Sequence, residues 1–117
     1  MDLEREWLRI FRRRRWFPAP VAMQGGHIRF EGCDLLLLRG DINAGTVLAR
    51  APFADVRYWQ LPRWLSNGVK LQMASPDEIW TVVTVKNGAF ALKHAQDWAD
   101  AFVRALADRG AAPRERR

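Results

Sequence analysis

Ala95-Gln96-Asp97-Trp98-Ala99-Asp100-Ala101-Phe102-Val103-Arg104-Ala105-Leu106 is the stretch whose reading decides the fold. Ala95, Trp98, Ala99, Phe102, Val103 and Leu106 recur at i, i+3, i+4, i+7, i+8 and i+11, which predicts one apolar stripe along an α-helix. Asp97 and Asp100 early, Arg104 late and Gly110 just beyond agree with the helix dipole and with a glycine stop. Such a stripe needs a flat apolar partner. The residues from Val21 to Leu92 read as strands, so the helix is expected to close a sheet.

The strands are read in chain order. His27-Ile28-Arg29-Phe30 alternates. Glu31-Gly32-Cys33-Asp34 turns the chain into Leu35–Arg39, which is apolar on both faces. Gly40–Gly45 is a loop leading to Thr46–Arg50. Pro52 breaks the ladder before a short strand over Val56–Trp59. Val69, Leu71 and Met73 point inward from the next strand. Ile79–Val85 and Ala89–Leu92 are expected to form a hairpin across Lys86-Asn87-Gly88, whose Asn-Gly pair suits a type I′ turn. That makes seven antiparallel strands before the helix.

At the other end, Leu3, Trp7, Leu8, Ile10 and Phe11 cover an arc of roughly 160° at about 100° per residue, which predicts a helix over Asp2–Arg12. Arg12–Arg15, Trp16, Phe17 and a Pro18-Ala19-Pro20 breaker follow. The organisation read from this is an N-terminal basic amphipathic helix and linker over 1–20, a β domain with its helix over 21–109, and a disordered basic tail over 110–117.

The 117 residues allow one modest core, to which six Trp bring large buried areas. The single Cys33 excludes an internal disulfide and a cysteine-based zinc site, and suits a reducing compartment. No apolar run approaches the ~20 residues of a membrane span, and the N-terminus lacks the apolar core of a secretory signal. The net charge of +6 divides unevenly. Residues 1–20 contribute +3, residues 109–117 contribute +3, and 21–108 sum to zero with nine basic and nine acidic residues. A neutral domain with basic ends argues against a specific nucleic-acid face.

The order of strands and closing helix resembles a pleckstrin-homology-like domain of the small bacterial kind. The resemblance is carried by Pro52-Phe53-Ala54-Asp55-Val56, Gly68-Val69-Lys70-Leu71, the Ile79–Leu92 hairpin and Trp98. It implies an α+β, mainly β architecture: a strongly bent seven-stranded antiparallel sheet or split barrel closed by the C-terminal amphipathic helix, plus the N-terminal helix. It implies a binding module rather than a catalyst. In lipid-binding members basic residues on the first strands and their joining loop hold the headgroup. The matching loop here is Glu31-Gly32-Cys33-Asp34, whose carboxylates repel phosphate.

Nothing in the sequence spells a reaction. His27 and His94 read as surface histidines, Cys33 has no activating base, and no nucleophile elbow, zinc-helix motif or phosphate loop occurs. No cofactor, metal or small-molecule substrate is implied. Two stretches have the composition of contact sites. Tyr58, Trp59, Arg63 and Trp64 combine rings with a cation as protein interfaces do. Trp7, Phe11, Arg12, Arg13, Arg14, Arg15 and Trp16 suit either docking on protein or an interfacial membrane helix. The expected function is a non-enzymatic intracellular protein-binding module with self-association as an added expectation. The alternative is a peripheral adaptor on anionic lipid at the inner face of the membrane.

Overall fold

The computed structural model describes residues 2–14, 22–41, 45–60, 68–73, 78–85 and 90–114. Eight strands form one open sheet: β1 (Leu8–Arg14), β2 (Ala22–Glu31), β3 (Asp34–Arg39), β4 (Thr46–Pro52), β5 (Arg57–Gln60), β6 (Val69–Gln72), β7 (Glu78–Thr84) and β8 (Ala112–Pro113). Their order is β4-β3-β2-β1-β7-β6-β5-β8. All neighbours are antiparallel except β5 and β8, which are parallel. One helix, α1 (Ala91–Asp108), closes the inner face.

The stripe that opened the sequence is buried as expected: Ala95, Trp98, Ala99, Phe102 and Leu106 are inaccessible and Val103 is partly so. Trp98 is 1 % exposed and its ring lies 4.9 Å from that of Phe102. The same core takes Leu8 and Ile10 from β1, Leu35 and Leu37 from β3, Ala51 from β4 and Leu71 from β6. Inner faces from both halves of the sheet therefore converge on one helix, which requires the sheet to curl around it. Leu36 and Leu38 are buried as well but lie outside that cluster, so β3 is covered on both faces as its sequence indicated.

The N-terminal helix is not there. Asp2 caps a single 3-10 turn, Leu3–Arg5, and the chain then runs extended as β1. This strand sits mid-sheet, paired with β2 from Leu8↔Gly26 and with β7 from Leu8↔Thr84. Residues 8–14 therefore belong to the β domain and supply it with four arginines. As a strand the segment divides the apolar residues of the helical arc between two faces: Leu8 and Ile10 point in, while Trp7 and Phe11 take outward positions with Arg9 and Arg13. Hydrogen bonding on both flanks decides in favour of the strand.

Three further differences share this kind of cause. β2 begins at Ala22 rather than His27 and runs through Gly25 and Gly26, because both positions are crowded. A Cβ on Gly26 would lie 2.0 Å from the Leu38 carbonyl oxygen, and one on Gly25 would lie 2.6 Å from the Trp7 ring. The strand expected over Ala89–Leu92 gives way to Phe90 in a turn and Ala91 as the first residue of α1; the Lys86-Asn87-Gly88 turn lies outside the described residues. The tail from 110 is structured through Arg114. Gly110, at φ +102°, ends the helix, with Gly110 N donating to Ala107 O and Ala111 N to Leu106 O. That pair of bonds is the Schellman pattern. It buries Ala111 and aims β8 at β5, where Ala112 N donates to Val56 O and Arg114 N to Tyr58 O. Among the described residues the sheet thus has eight strands and is not closed, ending at β4 and β8, where seven strands and a split barrel were expected.

Candidate functional site

The two stretches singled out by composition come from the start and the middle of the chain, yet the register joins parts of both on one surface. Phe11 is opposite Thr81, Thr81 opposite Lys70, and Lys70 opposite Trp59. These residues form a row across β1, β7, β6 and β5, spanning about 14 Å at ~4.8 Å per strand. Leu8, Ile10, Trp80, Val82, Val69, Leu71 and Tyr58 are buried toward the helix, so the intervening positions face away from it. Gln60, two residues from Tyr58, also points inward: its side-chain amide donates to Asp100 Oδ1 on α1 at 2.8 Å. Trp59 consequently faces outward. The guanidinium of Arg114 lies 4.6 Å from its ring centre, bringing the chain's last described residue to the same surface.

Beside this row, β1 presents Trp7, Arg9, Phe11 and Arg13 in alternation. Trp7 is 49 % exposed, its indole lying against the bare backbone of Gly25. Arg9, Arg13 and Arg114 are exposed, while Phe11, Trp59 and Lys70 are half-buried. Arg57 stands at the rim, its head group folded back to donate to the carbonyls of Ala54 and Val56 at 2.9 and 3.1 Å. No outward position of these five strands is acidic among the described residues. The potential of this face registers on Lys70, whose ammonium is pushed below the ordinary lysine range by burial and then by the charges of Arg13 and Arg114.

The nearby acids are engaged elsewhere. Asp2 pairs with Arg5 at 3.2 Å. Glu4 accepts from the Phe30 backbone N at 2.7 Å, and Glu6 is bound to His94 on α1. The Leu3 carbonyl accepts from the Trp98 indole at 3.4 Å. These contacts strap the N-terminal segment to the helix side of the sheet, while Arg9 and Arg13 take outward positions on the other. Residue counting placed Arg9, Arg13 and Arg114 in the two basic ends of the chain; the fold brings them to one face beside Lys70.

The remaining sequence-predicted residues fall as follows. Tyr58 is 9 % exposed and part of the core, not of a surface loop. Arg12 takes the opposite parity from Arg13, 4.0 Å from Glu78 and over the Trp80 ring. Arg14 pairs in register with Glu78. Arg15, Trp16, Arg63 and Trp64 lie outside the described residues. Composition missed Arg9, Lys70 and Arg114; the alternation of Trp7 through Arg13 was the signal that marked Arg9.

The histidines are not surface residues by chance. His94 holds Glu6. His27 is 2 % exposed, with Nδ1 2.9 Å from the Gly40 carbonyl oxygen. Cys33 is exposed in the β2–β3 turn. In that turn Asp34 and Glu31 approach Arg50 at 2.7 and 3.9 Å, so its acidity is largely answered. With β1 assigned, the loop joining the first two strands is 15–21, not 31–34, and the repulsion argued from Glu31 and Asp34 addressed a different turn. Among the described residues no group of three His, Cys, Asp or Glu side chains gathers as metal ligands would, and no helix is long and apolar enough to cross a membrane.

No protein-family model matches the sequence, and no curated protein matches it either. The fold does have a counterpart. The chain superposes on the crystal structure of the pleckstrin homology domain of ArhGAP27 with a TM-score of 0.57. Identity is 9 %, over 87 % of this chain and 95 % of that one. The chain has a pleckstrin-homology-like fold, as the resemblance implied.

Proposed function

We propose that the chain is a non-enzymatic binding module whose contact surface is the outer face of β1-β7-β6-β5-β8, and that this surface holds an anionic partner. The observation that carries the reading is the row Phe11–Thr81–Lys70–Trp59 with Arg114 stacked on its end, flanked by Arg9 and Arg13 and without a described carboxylate. Rings among cations have the composition of contact hot spots. A field of one sign accelerates encounter with the opposite charge and suppresses wrong partners. A protein that suits this face is acidic. A second copy would oppose like charges here, so self-association would need another surface, such as the edge strand β4 with Val47 half exposed.

Retention on a heparin column against a salt gradient tests the reading. The parent is expected to elute well above physiological salt, and Arg9→Glu with Lys70→Glu to elute much earlier while keeping the parent's circular dichroism. Equal elution of the two proteins would refute the assignment of the face.

Anionic lipid is the second reading, now through the Arg13–Trp16 run at the end of β1 instead of a helix. It is favoured by the strand assignment, which makes 15–21 the loop between the first two strands. Flotation with vesicles containing phosphoinositide, lost in Arg14→Glu with Arg15→Glu but kept in Lys70→Glu, would support it.

A further inference from the structure

Charge alone says that the partner is anionic; the placement of the rings says which kind. Resting on the reading above, we propose that the outer face of β1-β7-β6-β5-β8 binds single-stranded nucleic acid without sequence preference.

Cations and rings alternate along the first strand of this face and are interspersed across it. From Trp7 through β1 the order is Trp7, Arg9, Phe11, Arg13, with about 6.7 Å between successive outward positions. Across the strands it is Phe11, Thr81, Lys70, Trp59, Arg114, and β7 adds the apolar Ile79 and Val83 at outward positions. A single strand offers the complement: a charged phosphate and a flat base at every nucleotide, with every base able to stack on an aromatic face. Other anions use only half of the surface. An acidic protein segment answers the cations but has no repeated flat group for the rings. A bilayer is bound by side chains that protrude into it; of the three rings on this face only Trp7 does so, at 49 % exposed, while Phe11 and Trp59 are half-buried in the sheet. A duplex keeps its bases stacked internally and would meet the cations alone. The uncharged polar outward side chains are Thr81, within the row, and Gln72, in the next row opposite Arg57. They are too few for a base-edge code, so binding ignores sequence.

The direct probe is fluorescence anisotropy of a labelled 15-mer oligothymidylate with the full chain. Four cations (Arg9, Arg13, Lys70, Arg114) on a single strand give an expected log–log salt slope of about −3. Phe11→Ala with Trp59→Ala is expected to weaken oligothymidylate binding by about tenfold or more while leaving heparin elution nearly unchanged. Trp59→Phe, which keeps a ring, retains most of the affinity and guards against a folding artefact. The inference is overturned if the ring-deleted protein binds oligothymidylate as the parent does. It is equally overturned if a 15-base-pair duplex, a polyglutamate peptide or phosphatidylserine vesicles bind more tightly at equal salt. Heparin retention without oligothymidylate binding would sink this inference and leave the anionic-partner reading standing; loss of both would sink the two together.

Discussion

Replacing Trp98 by alanine probes the joint between helix and sheet. The ring is 1 % exposed, packs 4.9 Å from Phe102, and donates its N–H to the Leu3 carbonyl. Removing a buried aromatic of this kind costs about 3–5 kcal/mol through lost transfer energy and the cavity left behind. The upper half of that range is expected, because the Leu3 carbonyl loses its donor and the N-terminal strap is loosened. Against a total of about 5–15 kcal/mol for a domain of this size, the variant retains little margin. At roughly 3–6 °C per kcal/mol for this chain length, its melting midpoint should fall by roughly 10–25 °C in circular dichroism. Trp98→Phe, which keeps the packing and loses the N–H, should lose only about 1–2 kcal/mol. A midpoint for Trp98→Ala within a degree or two of the parent would refute the helix-on-sheet account.

Gly26→Ala places a methyl 2.0 Å from a main-chain oxygen. The β2–β3 register must then shift, and a loss of about 3 kcal/mol is expected in urea denaturation; a loss below ~1 kcal/mol would show that the approach is not so close. Deleting residues 1–17 removes a strand paired on both sides, so the product should show no cooperative melt, whereas retained cooperativity would mean that β1 is dispensable. Lys70→Met should leave stability equal to the parent or slightly higher, within about 0.5 kcal/mol, since burial and Arg13 and Arg114 penalise the charge it removes. With the folded pKa lowered, the unfolded parent binds more protons between that value and about 10.5, so the parent gains stability as pH rises through this window. Any advantage of the variant should therefore narrow there, and an advantage that widened would refute the stated cause.

The parts of the fold legible in the sequence are those whose local pattern and tertiary surroundings agree. The stripe from Ala95 to Leu106 admits one period, and Gly110 marks its end in both sequence and structure. Leu35–Leu38 reads as a strand covered on both faces, and Val69 and Leu71 read inward and are buried. β1 is not legible because Trp7, Leu8, Ile10 and Phe11 fit one helical arc, whereas as a strand they divide between two faces; two neighbouring strands, β2 and β7, settle the matter from outside the segment. The alternation at His27–Phe30 marks only the second half of β2, and the glycines before it belong to the strand because Trp7 and the Leu38 carbonyl approach there. β8 depends on the turn at Gly110, which no pattern in Ala112-Pro113 announces. The candidate site was half visible: Trp59, Phe11 and Arg13 were chosen for composition. Their union with Lys70 and Arg114 depends on a register spanning a hundred residues. Charge summed along the chain cannot reveal a face made by separating it.

The most direct measurement is a map of backbone amide shifts by NMR as oligothymidylate is added to the isotope-labelled chain. Shifts are expected to concentrate on Arg9, Phe11, Arg13, Trp59, Lys70 and Arg114, with β4 and the exposed flank of α1 unmoved. Shifts confined to β4 or α1, or none at concentrations that saturate the anisotropy signal, would contradict the assignment of the outer sheet face as the binding surface.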